Sequence, residues 1–327
     1  MFLSFLQRAA WALLSVSSIA DALNPQVNLG YATYEGTSLS NGVKQFLPMR
    51  YAAPPLKENR FRRAVAPLEE TGVVMAKVAK ESVWQHGPVC YGVDQILLPS
   101  PLLPSPPVTM SEGCLYIDVY TPQSTETDSC ATSDANGLPV MIWIQGGAFV
   151  EQFNPNYNGT GIVEASGGNA IVVTFNYRVG TYGFLASGEL LQGRNLNLGL
   201  HDQRAAMSWV QSHISQFGGD PDRVTLFGTS IGGGSVSLQT LAYGGNHTEA
   251  EGSDNARWNA GIAASVYIPS FYSVQDYELQ YSQLLNATNC TDLACLRSLE
   301  STKSKQRTSG HRRFQDNQIF HCFLMAL

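Results

Sequence analysis

The chain has 327 residues, 44% of them hydrophobic, and a formal net charge of −6. This length and composition allow a large buried core, fit one large α/β domain or two smaller ones, and exclude a fibrous or disordered chain. A pI near 5.5 leaves no basic surface for a phosphate backbone, so the composition argues against a nucleic-acid partner.

The N-terminus predicts a signal peptide. Arg8 precedes a short apolar segment, residues 9–20, that ends in small residues. This segment is shorter than the roughly 20 apolar residues that span a bilayer, so we expect a cleaved secretory signal over residues 1–20 and an extracellular protein. Asn-x-Ser/Thr sequons agree with a secreted glycoprotein; they begin at Asn158, Asn246, Asn286 and Asn289.

Six cysteines favour disulfide bonds in an oxidising compartment. Cys90 and Cys114 bracket a proline-rich segment, and Cys290 and Cys295 could close a tight loop. The sequence leaves the pairing of Cys130 and Cys322 open. No Cys-x-x-Cys or His-x-x-x-His pattern lies nearby, so we predict neither a metal site nor a cofactor.

Alternating apolar runs and amphipathic segments follow residue 139. The runs at residues 140–144, 170–175 and 224–227 predict strands that are covered on both faces, and residues 202–217 predict a helix that ends at Gly218. We expect irregular strands and loops before residue 120 and a polar surface loop over residues 123–136. The fold class is therefore α/β, with a mostly parallel central sheet and helices on both faces.

The stretch Gly228-Thr229-Ser230-Ile231-Gly232 lies between a predicted strand and a predicted helix. Strand, sharp turn and helix are the context of a nucleophile elbow, in which glycines allow the close approach and the serine hydroxyl points outward. The helix start would favour a developing oxyanion. A phosphate-binding loop is disfavoured because no Gly-Lys-Ser/Thr follows.

A second glycine-rich turn, residues 145–149, follows the strand predicted at residues 140–144. Ligands of open parallel sheets bind at this end of the strands, and backbone N–H groups there can stabilise a tetrahedral intermediate. Alone, the pattern would indicate an ordinary strand-to-helix turn. Together with Ser230, it predicts an oxyanion hole.

Seven ordered segments give the chain a resemblance to a secreted type-B carboxylesterase, in the cholinesterase and fungal lipase branch of the α/β-hydrolase family. The resemblance extends from about residue 25 to 300 and rests on residues 51–55 with 60–61, 111–120, 145–149, 176–180, 199–204, 217–221 and 228–232.

The resemblance implies a catalytic role for Ser230 as nucleophile, with the backbone N–H groups of Gly147, Ala148 and Ile231 as the oxyanion hole. It also implies disulfides Cys90–Cys114 and Cys290–Cys295, and buried ion pairs Arg60–Glu112 and Arg178–Asp202. The substrate would be a small-molecule or lipid ester, with transient contact to a lipid surface as a further expectation.

Two residues depart from the family pattern, which has Glu before the serine and Ala after it: this chain has Thr229 and Ile231. Thr229 removes a carboxylate that helps the surrounding network, and Ile231 places a β-branched side chain beside the attacking oxygen. Neither removes a backbone N–H donor, but we expect reduced or altered activity. Phe149, Trp84 and Tyr182 are candidates to line the site, although such aromatic residues more often pack in a core.

The base and acid of a serine triad follow the serine in the order acid, then histidine. In the family both lie farther along than the 97 residues that follow Ser230 here. His247, His311 and His321 do not match the family's histidine context, and Asp276, Glu278, Asp292 and Glu300 are equally poor candidates for the acid. We therefore expect the activity of this chain to be reduced or absent.

The expected organisation is a signal peptide at residues 1–20, a partial α/β-hydrolase domain at 21–300, and an unpatterned tail at 301–327. We expect the tail to be foreign to the family, as a retained intron or a frameshift would produce. The predicted function is a secreted serine ester hydrolase that acts through an acyl-enzyme at Ser230. The alternative is a non-catalytic, esterase-like module for binding or adhesion.

Overall fold

A computed structural model describes residues 24–76, 87–92, 110–123, 137–152, 157–245 and 257–300. The predicted signal segment, Trp84, nearly all of the predicted polar loop, Cys130, His247 and the tail, with Cys322, lie outside these residues.

Twelve strands form three sheets within the described residues. They are β1 (Gln26–Asn28), β2 (Thr33–Glu35), β3 (Thr37–Ser38), β4 (Val43–Arg50), β5 (Val73–Met75), β6 (Val89–Cys90), β7 (Met110–Ser111), β8 (Tyr116–Pro122), β9 (Leu138–Ile144), β10 (Ile171–Phe175), β11 (Gly219–Thr229) and β12 (Ala260–Ala264). The central sheet has seven strands in the order β12-β11-β9-β10-β8-β4-β3, beside the small sheets β1-β2-β5 and β6-β7.

Seven α-helices complete the described part of the chain. They are α1 (Thr160–Ala165), α2 (Gly180–Phe184), α3 (Gly188–Gln192), α4 (Leu198–His213), α5 (Ile231–Leu241), α6 (Val274–Thr288) and α7 (Leu293–Ser298). None of these helices combines the length and the apolar character that crossing a membrane requires.

The strands that the sequence predicted lie side by side in the parallel part of the central sheet. Strand β9 pairs in parallel with β10 and with β11, and β11 pairs in parallel with β12. From β10 through β8 and β4 to β3 the pairing is antiparallel. The carboxyl ends of β9 and β11 therefore lie side by side at the same end of the strands, where the two glycine-rich turns begin.

Helices cover both faces of this sheet, as predicted. Neighbouring residues of β10 show the alternation: Val173 packs in the main core with Val210 of α4, whereas Val172 packs with Val163 of α1 in a separate cluster. Since successive strand residues point to opposite faces, α1 and α4 lie on opposite sides of the sheet.

Helix α4 starts four residues before the predicted helix and has the predicted end. It begins at Leu198, after Asn197 in the left-handed region, and continues as a 3-10 turn over Ile214–Phe217. Gly218 then adopts φ 84°, a conformation that glycine reaches without steric cost, and ends the helix.

Candidate active site

Ser230 lies between β11 and α5, at the turn predicted for it. Its backbone has φ 58° and ψ −126°, in a region that residues with a side chain rarely occupy. The next residue, Ile231, is the first of α5. A sparsely populated backbone conformation at a strand-to-helix turn is typical of a nucleophile elbow.

The flanking glycines allow strand and helix to approach more closely than a side chain would permit. A Cβ atom on Gly228 would lie 2.3 Å from the carbonyl carbon of Gly232, and one on Gly232 would lie 2.1 Å from the carbonyl oxygen of Ile144. Real Cβ contacts are never so short. Both positions therefore require glycine, as the sequence predicted.

The backbone of Ser230 is fixed by residues that the sequence analysis missed. Its N–H donates to the carbonyl oxygen of Ala264 at 3.0 Å. Its own carbonyl oxygen accepts from the N–H of Tyr267 at 3.2 Å and from that of Gly234 at 3.0 Å. The end of β12 and the residues after it thus hold the turn in place.

The second glycine-rich turn lies directly against Ser230. A Cβ atom on Gly146 would be 3.3 Å from Ser230 Cβ and 3.9 Å from Ser230 Oγ. Gly147, Ala148 and Phe149 follow with φ values of 115°, 53° and 62°. The carbonyl oxygen of Gly147 accepts from the N–H groups of Val150 and Glu151, which closes the turn.

The three N–H groups predicted to form an oxyanion hole are available. Within the described residues, the N–H groups of Gly147, Ala148 and Ile231 donate to no protein acceptor, and the Ser230 hydroxyl has no hydrogen-bond partner. Free donors beside a nucleophile can bind negative charge that develops on a substrate oxygen.

Three side chains near the candidate site in sequence or named as its possible lining pack in hydrophobic cores. Ile231 is fully buried and belongs to the main core. Phe149 is also fully buried, with its ring 4.4 Å from that of Phe184. Tyr182 stacks on Phe61 in a second core cluster. For Phe149 and Tyr182 this is the core packing that the sequence favoured.

Two buried ion pairs join the segments around the site, as the resemblance implied. Arg178 Nε donates to Asp202 Oδ2 and Arg178 Nη2 to Asp202 Oδ1, both at 2.7 Å. Burial alone would lower the pKa of Arg178, but the Asp202 carboxylate raises it. Arg60 binds Glu112 with two hydrogen bonds, at 2.5 and 2.8 Å, and also donates to the carbonyl oxygen of Leu296 at 2.6 Å.

Both predicted disulfides are present. Cys90 is bonded to Cys114, and Cys290 to Cys295. The second bond closes the connection between α6 and α7.

The described part of the chain presents no base to the serine. It contains His201 and His213, and neither bonds to Ser230. Burial, together with the charges of Arg63, Arg204 and Arg178, lowers the pKa of His201 to about 3.

Three of the candidate acids have structural partners. Asp276 caps the start of α6, Glu278 accepts from the backbone N–H of Gly188, and Asp292 caps α7. No group of His, Cys, Asp and Glu that could hold a metal ion occurs within the described residues.

Comparison with known proteins places this chain in a family. The family model of the carboxylesterase family matches residues 23–309. Lipase 1 of Geotrichum candidum is 40% identical over 205 residues, 59% of this chain and 35% of that protein. Neuroligin-2 of Mus musculus is 33% identical over 300 residues, 84% of this chain and 34% of that protein.

Solved structures agree with the sequence matches. The crystal structure of Aspergillus niger EstA superposes with a TM-score of 0.71 at 38% identity, over 87% of this chain and 50% of that one. The α/β-hydrolase fold predicted from the sequence is therefore confirmed. The chain spans about a third to a half of the length of these proteins.

Proposed function

Because the chain belongs to the carboxylesterase family, we propose that Ser230 is the nucleophile of an ester hydrolase, with the N–H groups of Gly147, Ala148 and Ile231 as its oxyanion hole. The observation that carries this proposal is the backbone of Ser230, at φ 58° and ψ −126°, directly beside Gly146 and at the first turn of α5. The substrates would be carboxylic esters.

The reaction has two steps. Ser230 Oγ attacks the ester carbonyl carbon while a base takes the hydroxyl proton, and the tetrahedral oxyanion collapses to release the alcohol, which takes a proton. An acyl group is then bonded to Ser230 Oγ, and water repeats the attack to release the acid and free the serine. Each backbone donor to the oxyanion contributes about 10²–10³ in kcat.

We propose that the base and its carboxylate partner belong to polypeptide outside the described residues. Two observations at Ser230 support this proposal. Its hydroxyl has no hydrogen-bond partner among the described residues, and neither described histidine bonds to it. Without a base, the oxyanion hole and substrate binding still accelerate ester cleavage about 10³–10⁴-fold over water. With the described residues alone, Ser230 should therefore react slowly.

A fluorophosphonate probe with chemical rescue tests the proposal. The wild-type chain and Ser230→Ala are incubated with the probe, with and without imidazole as an external base, and labelled peptides are identified by mass spectrometry. Aspergillus niger EstA is the labelling control. We expect slow labelling of Ser230, accelerated by imidazole and absent in Ser230→Ala. Equal labelling of the two chains, or none even with imidazole, would contradict the proposal.

The second candidate function is a non-catalytic module that uses the same fold to bind a partner. It is favoured by the unpartnered Ser230 hydroxyl and by the match to Neuroligin-2, a relative not named for an enzymatic activity, over 300 residues. A serine that stays inert to the probe in the presence of imidazole would favour this alternative.

We further propose that the protein is secreted and glycosylated. Two disulfides favour an oxidising compartment, and Asn158, Asn286 and Asn289 are exposed in the folded chain. Expression in a eukaryotic host, followed by treatment of the medium with an N-glycosidase, tests both points. A chain retained in the cytosol without glycan would contradict them.

A further inference from the structure

The oxyanion turn, residues 145–152, has a backbone that two of its residues do not favour. Ala148 and Phe149 adopt φ values of 53° and 62°, in the left-handed region that residues with a side chain rarely occupy. Such conformations raise the free energy of a turn, and they persist only where surrounding groups fix the chain. Because the N–H groups of Gly147 and Ala148 are the proposed oxyanion donors, the contacts that fix this turn also set the direction of those donors.

The hydrogen bonds inside the turn set its curvature but not its direction. The carbonyl oxygen of Gly147 accepts from the N–H groups of Val150 at 2.9 Å and Glu151 at 3.1 Å. A turn closed in this way can still rotate as a unit about the residues that join it to the rest of the chain. The direction of its N–H groups relative to Ser230 therefore depends on contacts with another segment.

The segment that follows β10 supplies these contacts at both ends of the turn. The hydroxyl of Tyr177 donates to the carbonyl oxygen of Gln145 at 2.8 Å, just before the first glycine. The carbonyl oxygen of Tyr177 accepts from Gln152 Nε2 at 2.6 Å, at the other end. Between them, the N–H of Gly180 donates to the carbonyl oxygen of Phe149 at 2.6 Å. Tyr177 thus holds the two ends of the turn at once.

Tyr177 and Gln152 are themselves fixed by their surroundings. Tyr177 is fully buried in the main core, and burial raises the pKa of its hydroxyl, so the hydroxyl remains protonated and able to donate near neutral pH. Gln152 Oε1 accepts from the backbone N–H of Cys90 at 3.1 Å, and Cys90 is joined to Cys114 by a disulfide. The Gln152 side chain therefore cannot move away from Tyr177 without breaking bonds to two segments.

Other buried tyrosines of this chain have hydroxyl hydrogen bonds that serve packing alone. Tyr34 is as deeply buried as Tyr177 and lies in the same core. Its hydroxyl accepts from the backbone N–H of Arg50 at 3.2 Å, and Tyr34 belongs to the small sheet β1-β2-β5. Tyr177 differs because it bonds through its side chain and its main chain to the turn that carries the proposed donors.

We propose that Tyr177, together with Gln152, is a positioning residue for ester hydrolysis at Ser230. By holding both ends of the oxyanion turn, Tyr177 keeps the N–H groups of Gly147 and Ala148 directed at the substrate oxygen, so that no reorganisation is needed when negative charge develops there. A displacement of about 1 Å can lower a rate about 10²-fold. The effect on catalysis rests on the proposed function of Ser230, whereas the hold on the turn does not.

Amide hydrogen exchange, read by mass spectrometry, tests the hold on the turn without any need for activity. The N–H groups of Val150 and Glu151 are the reporters, because both donate to Gly147 within the turn. The full chain with both disulfides intact is used. Exchange in residues 140–144, which lie in β9, reports any wider opening of the fold.

Tyr177→Phe removes only a hydroxyl, and Gln152→Met removes only the hydrogen-bonding atoms from a side chain of similar length. Each should speed the exchange of the two reporters at least about tenfold while β9 keeps its protection. Tyr34→Phe, the matched control, should change neither. Unchanged reporters in Tyr177→Phe, or the same increase in Tyr34→Phe, would overturn the proposal, and Gln152→Met decides the test if Tyr177→Phe does not fold.

The rate of fluorophosphonate labelling at saturating imidazole tests the consequence for chemistry. Ser230 Oγ attacks phosphorus, fluoride leaves and imidazole takes the hydroxyl proton, while the phosphoryl oxygen occupies the place of the ester oxygen. We expect Tyr177→Phe to lower the limiting labelling rate about 10–100-fold, and Tyr34→Phe to keep the wild-type rate.

Two outcomes of the labelling experiment are distinct. A wild-type labelling rate in Tyr177→Phe would overturn the positioning role. A wild-type chain that is never labelled would instead contradict the proposed hydrolase, and the exchange of the two reporters would still decide whether Tyr177 holds the turn.

Discussion

Gly232 in the first turn of α5 lies so close to the carbonyl oxygen of Ile144 that a Cβ atom would be 2.1 Å from it. This contact joins the elbow to the end of β9, where the oxyanion turn begins. We expect Gly232→Ala to force helix and strand apart and to destabilise the fold by about 3 kcal/mol. Chemical denaturation measures this change.

Gly161 in α1 is the control, since a Cβ atom there meets no heavy atom within 4 Å. Gly161→Ala should leave stability unchanged or raise it by about 0.5–1 kcal/mol, because alanine favours helix. Similar losses in the two variants would show that the contact with Ile144 is not the cause.

The positive φ of Ser230 predicts that the backbone at this position lowers the stability of the fold. Glycine adopts φ 58° without the steric cost that a side chain brings. Ser230→Gly should therefore be more stable than Ser230→Ala by about 1 kcal/mol, the relief of strain less the entropy that glycine loses on folding. Both variants lose the hydroxyl, so any difference between their unfolding midpoints reports the backbone. Equal midpoints would mean that the turn stores no strain.

The Arg178–Asp202 pair should tolerate the loss of one partner poorly. Asp202→Asn leaves the guanidinium of Arg178, with a side chain 2% exposed, without its counter-charge, and we expect a loss of about 3–5 kcal/mol. The comparison pair is Arg223–Asp220, in which the Arg223 side chain is 44% exposed. Arg223→Ala should cost less than Asp202→Asn, because the exposed Arg223 guanidinium is hydrated in both states. Comparable losses in urea unfolding would contradict a special role for the buried pair.

His201 makes stability depend on pH. Because its pKa in the folded chain is about 3, below the ordinary value of 6.5, the unfolded chain binds a proton more readily. The contribution of neutral His201 to the free energy of unfolding is fully present above pH 6.5. It is lost as the pH falls towards 3, by about 1 kcal/mol per pH unit between pH 6 and pH 4. His201→Gln removes this contribution while the carboxylates titrate in both chains. Parallel stability curves for wild type and variant over this range would refute the prediction.

The sequence predicted the site-bearing strands and the elbow because their signals are local. Three continuous apolar runs lie within β9, β10 and β11 or differ from them by one residue, and the glycines flanking Ser230 mark a turn whose geometry is set by its immediate neighbours. Helix α4 was recognised from its repeating apolar residues, and its end from Gly218.

The parts that the sequence did not predict depend on contacts between distant segments. Residues 260–264 are alanine or glycine apart from Ile262 and show no strand pattern, and they become β12 because β11 pairs with them. Two hydrogen bonds follow from that pairing: the Ser230 N–H donates to the carbonyl oxygen of Ala264, and the Tyr267 N–H donates to that of Ser230. The inward packing of Ile231 likewise depends on where α5 rests against the sheet.

The hydrogen bond from Arg60 to the carbonyl oxygen of Leu296 joins residues 236 positions apart. At a synthesis rate of about 5–20 residues per second, roughly 10–50 seconds pass between the appearance of one partner and of the other. During that time the buried guanidinium site cannot be completed, and the segments that it fastens remain open to other chains. The contact thus sets a minimum delay in biosynthesis before this part of the fold can close.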